Sequence, residues 1–272
     1  MLHTVKLCLY VVVLRFICCA VQPVSSFSPP PLCMRVVVVT GADGGIGGAF
    51  CRHYASKGDR VFACRRSKSP AGASSLFKSD PNIQEVYGVD VTKDEGVNCL
   101  VQALENAGSP AVDILINNAG VMISPRNSLD LDVIRKSMEV NAYGALRVTA
   151  MLLKRKLLSA PGAKIALITS KMGSMEDNTS GGSYGYRMSK AALNAAGVSL
   201  AHDLKGSGIA VAILHPGEKQ WLFTSWVRTR MTGGSGLVDP YESVAGMAER
   251  IEELNLENSG TFWAFNGGVV PW

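Results

Sequence analysis

The chain has 272 residues, of which 47% are hydrophobic and 18% charged, with a formal net charge of +5. This length and composition suit one α/β domain of roughly 200–250 residues with an appendage, and the mild positive charge without a long basic run does not point to nucleic acid. Cys51, Cys64 and Cys99 are scattered without metal-ligand spacing, so the sequence offers neither a metal centre nor a disulfide framework and suits a reduced compartment.

Residues 1–33 form the appendage. They hold Lys6 and Arg15, no acidic residue, the apolar blocks Leu7–Leu14 and Phe16–Val21, then Ser25-Ser26-Phe27-Ser28 and a run of prolines. This resembles a secretory signal peptide followed by a linker. Arg15 divides the apolar stretch, leaving neither block near the roughly 20 residues of a spanning helix, so no permanent membrane anchor is expected. Val24-Ser-Ser-Phe-Ser-Pro29 is similar to the cleavage region of leaders that send proteins to plastids of secondary endosymbiotic origin. Met34 stands just before the first strand, and initiation there would give a cytosolic protein; both readings stay open at this point.

Arg35-Val-Val-Val-Val-Thr-Gly-Ala-Asp-Gly-Gly-Ile-Gly-Gly48 is an apolar run that breaks into glycines. The run reads as a fully buried strand and the glycines as the turn into a helix. Gly41, Gly45 and Gly47 let the backbone approach a ligand, and the free N–H groups of the following helix, from Ile46 onward, suit a pyrophosphate. Asp43 lies within this turn. The spacing Gly41-x-x-x-Gly45-x-Gly47 is one residue longer than the general dinucleotide fingerprint. A helix is expected over 46–57 and a second strand over Arg60–Cys64, ending in Arg65-Arg66. An acidic residue at that place binds a ribose 2′-OH, whereas arginine accommodates a 2′-phosphate, so an arginine pair with no carboxylate beside it favours NADP over NAD.

Glu85–Val91 reads as a third strand that ends at Asp90, where a polar side chain can reach an adenine. Thr92-Lys-Asp-Glu95 reads as a capping box opening a helix to about Ala107. A fourth strand, Val112–Ile116, runs into Asn117-Asn118-Ala119-Gly120, a turn suited to tying strands together while letting backbone approach a ribose. From Asn127 apolar residues keep helical spacing for about thirty residues with Asn141 midway, which suggests a kink with a polar task. Lys164–Ser170 is the fifth strand. After a glycine- and serine-rich loop, Tyr186-Arg-Met-Ser-Lys190 opens a helix whose i, i+4 spacing puts Tyr186 and Lys190 on one face. An ammonium so placed is expected to lower the phenol pKa and make Tyr186 a usable general acid. Ile209–His215 is the sixth strand, ending at Pro216-Gly217. Asp239-Pro-Tyr-Glu242 starts a helix to about Leu254, and Thr261–Phe265 is the seventh strand. Strands alternating with helices and no second domain imply an α/β, doubly wound, Rossmann-type parallel sheet.

Thr40-Gly-x-x-x-Gly-Ile-Gly47, Asp90-Val91, Asn117-Asn-Ala-Gly120, Asn141, Ser170, Tyr186-x-x-x-Lys190 and Pro216-Gly217, in this order, resemble the short-chain dehydrogenase/reductase family over residues 35–272. Within it, Gly173-Ser174, Asn178-x-Ser-Gly-Gly182, Tyr184–Asn194 and the terminal Gly-Gly-Val-Val-Pro-Trp are similar to the C-factor and sniffer-type carbonyl reductases. The resemblance implies NADP(H)-dependent reduction of a carbonyl to an alcohol. Tyr186 would protonate the carbonyl oxygen and Ser170 hydrogen-bond it. Lys190 would lower the Tyr pKa and bind the nicotinamide ribose, Asn141 would hold a water for proton supply, and Thr229 would meet the carboxamide. It also implies a homodimer or homotetramer acting on a small carbonyl or alcohol, with an idle redox sensor or a C-factor-like signal as the alternatives. One departure is Glu218–Ser225, inserted between Pro216-Gly217 and Trp226-Val-Arg-Thr229, which the family keeps nearly contiguous. Its three large apolar residues suggest a surface excursion above the nicotinamide, either a lid or a translated intron remnant.

Overall fold

The computed structural model describes residues 34–67, 76–77, 80–108, 111–123, 129–158, 161–217, 227–229, 231–234 and 236–272. The expected leader and the Glu218–Ser225 excursion lie outside these residues. Met34–Trp272 forms one compact unit.

Seven parallel strands lie in the order β3-β2-β1-β4-β5-β6-β7. They are β1 (Val36–Thr40), β2 (Arg60–Cys64), β3 (Ile83–Val86), β4 (Ile114–Asn117), β5 (Lys164–Ile168), β6 (Ala210–His215) and β7 (Phe262–Ala264). The helices are α1 (Gly45–Ser56), α2 (Asp94–Asn106), α3 (Leu131–Met138), α4 (Gly144–Lys154), α5 (Tyr184–Lys205) and α6 (Pro240–Glu253). The four valines of β1 are all buried because the sheet is covered on both faces. Val38, Phe62, Leu115 and Ile165 meet α2, α4 and α5 on one face. On the other, Val37, Val39, Val61 and Ile116 meet Phe50 and Tyr54 of α1 and Val244, Met247 and Ile251 of α6. The order reverses between β1 and β4, and at such a switch point the turns leaving the two strands diverge and open a crevice at their carboxyl ends.

Two expectations need correcting. β3 stops at Val86, so Asp90 and Val91 sit in the connection that follows, not on the strand. The turn at 92–95 is no capping box: α2 starts at Asp94 with Lys93 as its uncapped flank, and Thr92 instead gives both its N–H and its hydroxyl to Asp90 Oδ1. Asp90 is thereby occupied with shaping its own loop. Elsewhere the elements match within a few residues. Asp239 caps α6 through the Tyr241 N–H with Pro240 in the first turn. The long helical stretch begins at Leu131, capped by Asp130, and breaks at Glu139–Tyr143 into one turn of π-helix between α3 and α4. Asn141 lies in that turn, which is the form the expected kink takes.

Candidate active site

The turn after β1 and the turn after β4 are built as one unit around Thr40. Its hydroxyl accepts the N–H groups of Asn118 and Ala119, both at 3.0 Å, while the Asn118 amide donates to the carbonyls of Thr40 and Gly41. Gly41 sits at φ +68°, and a Cβ there would lie 2.8 Å from Ala119 Cα. A Cβ on Gly47 would lie 2.4 Å from the Gly41 carbonyl oxygen. The glycines therefore let two backbones touch. Among the described residues no side chain caps the start of α1 and no acidic residue lies in its first turn, which leaves its N–H groups, from Gly45 and Ile46 onward, to a guest anion. Thr229 closes the turn from outside, its methyl carbon within 3.2 Å of where a Cβ on Gly45 would be.

On the adenosine side the structure corrects the sequence. Arg65 is not an arginine without carboxylates: it is buried, pairs with Glu85 at 2.6 Å and with Asp43 at 3.2 Å, and lies over the Tyr87 ring. Asp43 and Glu85, distant in sequence from position 65, converge on it because β3 pairs with β2 and the Gly41–Gly45 turn folds over the end of β2. Asp43 also accepts the Arg66 N–H, and the Arg66 side chain is exposed. Burial raises the Asp90 carboxyl, but the two Thr92 hydrogen bonds and the nearby Lys93 and Arg66 charges outweigh it and hold the group below the usual carboxylate range. Val91 is core, packed so tightly on Gly144 that a Cβ there would come within 2.7 Å, and its carbonyl accepts Arg147 Nη1 at 2.8 Å. Arg147, itself paired to Asp94 and Glu139, was not signalled by any motif, because a lone helical arginine reads as a solvated charge.

The third group comes from the π turn, the end of β5 and α5. Asn141 is buried and clamps Val121, accepting its N–H at 2.7 Å and donating to its carbonyl at 2.9 Å, while its amide also donates to Ser189 Oγ. The side chain thereby joins the 117–121 turn to α5. Lys190 is 4% exposed, donates to the Ile168 carbonyl at 2.8 Å and lies 5.8 Å from the centre of the Tyr186 ring, so the shared helical face holds. A Cβ on Gly120 would stand 3.6 Å from Lys190 Nζ and 3.3 Å from Asn141 Oδ1. The 3₁₀ turn at Lys171–Gly173, which Ser170 caps, lies directly on α5, since a Cβ on Gly173 would be 2.8 Å from the Lys190 carbonyl carbon. Gly217, two residues beyond β6, sits at φ +110°, and a Cβ there would enter the Phe265 ring. The Pro216 carbonyl accepts the Ser243 hydroxyl.

The electrostatics also differ from expectation. Burial pushes the Tyr186 phenol up to about 12, with the Ser170 hydrogen bond pulling the other way. Burial pushes Lys190 down to about 8. Desolvation disfavours whichever form is charged, so both groups move toward neutrality. The ammonium, turned to the Ile168 carbonyl, does not produce the lowered phenol pKa that helical spacing alone suggests.

This is a dinucleotide-type crevice beside a Ser-Tyr-Lys cluster. The model for the short chain dehydrogenase family matches residues 35–225, and the chain belongs to that family of oxidoreductases. A Rhodococcus sp. strain AD45 protein named 1-hydroxy-2-glutathionyl-2-methyl-3-butene dehydrogenase is 36% identical over 240 residues, covering 88% of this chain and all of the relative. The Myxococcus xanthus C-signal is 41% identical over 169 residues, 61% of this chain and 96% of the relative. Among solved structures, the NADPH bound carbonyl reductase from chicken fatty liver is similar with a TM-score of 0.75 and 29% identity, covering 88% of this chain and 99% of that one. Carbonyl reductase Sniffer of D. melanogaster follows at 0.73 and 26%, with 88% of this chain and all of that one covered.

Proposed function

We propose that this protein is an NADP(H)-dependent carbonyl reductase. The observation that carries the reading is the meeting of Ser170, Tyr186 and Lys190 with the Asn117–Gly120 turn, next to an uncapped helix start cradled by Gly41 and Gly47. The residues present fit the cofactor. The start of α1 would hold the pyrophosphate, Asp90 and Val91 would flank the adenine, Lys190 would meet the nicotinamide ribose, and Pro216, Gly217 and Thr229 would border the nicotinamide. Arg66, left exposed while Arg65 is held by Asp43 and Glu85, would read the 2′-phosphate. The chicken and other NADP-containing reductases of similar fold support this choice.

When bound, the nicotinamide supplies the hydride for the carbonyl carbon. The chain's own part is proton supply and placement. A phenol held near 12 stays protonated at neutral pH, the form a proton donor to the carbonyl oxygen requires. The Ser170 hydroxyl shares that oxygen. Lys190, near 8, is still largely cationic at pH 7 and offsets the phenolate left after transfer. Asn141 keeps the 117–121 turn in register with the helix that carries both groups.

The test is a panel of aldehydes and ketones, including 4-nitrobenzaldehyde, followed by NADPH absorbance, with Tyr186→Phe as control. Turnover that falls about 10²–10⁴-fold in the variant while NADPH still binds is the expected result; no turnover of any carbonyl would favour the idle or signalling reading, to which the C-signal likeness lends its support. Residues 1–33 are proposed to act as a leader, since relatives matched over their whole length account for 88% of the chain. A fluorescent fusion to residues 1–33 that stays cytosolic would reject this.

A further inference from the structure

The β5–β6 ladder ends in an unusual way. Past the Ile168–Leu214 pair it makes one more rung, from the Thr169 N–H to the Leu214 carbonyl at 2.8 Å. The next N–H in line, that of Lys171, does not go to the main chain of β6. It goes to the His215 imidazole, whose Nδ1 accepts it at 3.2 Å, while the Pro216 carbonyl turns to Ser243. The strands part at this point, and Lys171, His215 and Gly217 line a cleft of about 550 Å³ bounded on the other side by Phe265, Val269 and Pro271. The imidazole spans the gap that opens.

Ser170 is the residue between the two anchored amides, and its carbonyl and hydroxyl also accept the Gly173 and Met172 N–H groups. We propose that His215 is a positioning residue: through Nδ1 it holds the Lys171 amide, and with it the turn that presents the Ser170 hydroxyl to Tyr186. This rests on the reading of Ser170 as a carbonyl-binding group. His215 is 6% exposed, and among the described residues its Nε2 has no partner. Burial, aided by the Lys171 charge, pulls the imidazole down to about 3 and keeps it neutral. With Nδ1 accepting, the single proton belongs on Nε2. No sequence motif points to this role, because a histidine before Pro-Gly at a strand end reads as core.

The experiment compares three variants of the full chain with NADPH and 4-nitrobenzaldehyde. His215→Phe keeps a ring but no acceptor; His215→Asn places an amide oxygen near the Nδ1 position; Ser170→Ala calibrates the hydroxyl itself. His215→Phe is expected to lose about 10²-fold in kcat, the scale of a 1 Å misplacement, with NADPH affinity unchanged, and His215→Asn to recover most of it. Phe and Asn variants equally impaired, or a Phe variant within threefold of wild type while Ser170→Ala is impaired, would overturn the assignment alone. Ser170→Ala at wild-type rate would instead reject the reading of the site on which it rests. Should the Phe variant not fold, ¹⁵N spectra of the wild-type imidazole decide: a single neutral Nε2–H tautomer with Nδ1 hydrogen-bonded between pH 5 and 9 supports the role, and an imidazolium titrating near pH 6.5 or an Nδ1–H tautomer refutes it.

Discussion

Replacing Lys190 with methionine separates what the buried ammonium does for the reaction from what it does to the fold. The group titrates at about 8 in the folded protein against an ordinary 10.5. At 1.36 kcal/mol per unit this is about 3 kcal/mol by which burial disfavours the charged form. Below pH 8 the amine is charged in both folded and unfolded chains, and the folded state carries the whole penalty. Between 8 and 10.5 the unfolded chain binds more protons than the folded one, so the stability of wild type rises with pH across that window. Above 10.5 the penalty is gone. Lys190→Met never has it, but leaves the Ile168 carbonyl without its donor, an offset of about 1–3 kcal/mol that does not vary with pH. Tyr186, held near 12, stays neutral throughout the window and does not complicate the comparison. Urea unfolding of both proteins from pH 7 to 10.5, without dinucleotide, should show wild type gaining about 3 kcal/mol on the variant. Parallel curves, or a variant that gains on wild type as pH rises, would refute the argument that burial governs this site.

The same lysine sets the pH range of turnover: kcat/KM for carbonyl reduction should fall as pH rises through about 8, because Lys190 loses its charge while Tyr186 keeps its proton. A profile flat to pH 10 would contradict this. Arg66→Ala should weaken NADPH binding by about 1.5–3 kcal/mol, the worth of a hydrogen bond to a charged group, with NADH little changed in a titration of cofactor fluorescence. Arg65→Ala should chiefly lower the melting temperature, since it removes the cation that pairs with the largely buried Glu85 and with Asp43. Gly47→Ala should abolish dinucleotide binding in the same titration, because its Cβ would lie 2.4 Å from the Gly41 carbonyl and force the β1 turn open; binding at wild-type strength would show that the turn yields at no cost.

The sheet and its order of elements were legible because the signals are local and strong. Buried strands such as Val36–Thr40 leave continuous apolar runs, and turns such as Asn117–Gly120 need residues that few other structures need. Strand ends were less legible. Tyr87-Gly-Val-Asp-Val91 has the composition of a strand, yet past Val86 the chain turns away, and the Val89 N–H reaches back to the Arg65 carbonyl. Residues such as Arg147 and His215 escaped because their partners lie far along the chain, and the side chain alone carries no mark of them.

Both errors at the site share one physical cause. Sequence spacing counts neighbours along the chain, whereas electrostatics counts neighbours in space and the water removed between them. Arg65 has no carboxylate within five residues on either side, but parallel pairing of β2 with β3 sets Glu85 beside it and the glycine turn brings Asp43 over it. The positive charge of Arg65 is thus already paired, and in the proposed reading the task passes to Arg66 one residue on. Tyr186 and Lys190 do share a helical face, so the geometry inferred from i, i+4 spacing was right and its consequence was wrong. Within this dry cluster burial, rather than the neighbour 5.8 Å away, moves each group toward its neutral form. A phenol that resists ionisation is no obstacle to the proposed chemistry. Reduction consumes a proton, so the site needs a donor that is loaded before the carbonyl arrives, and a lysine poised near 8 whose charge matters only once that proton has left.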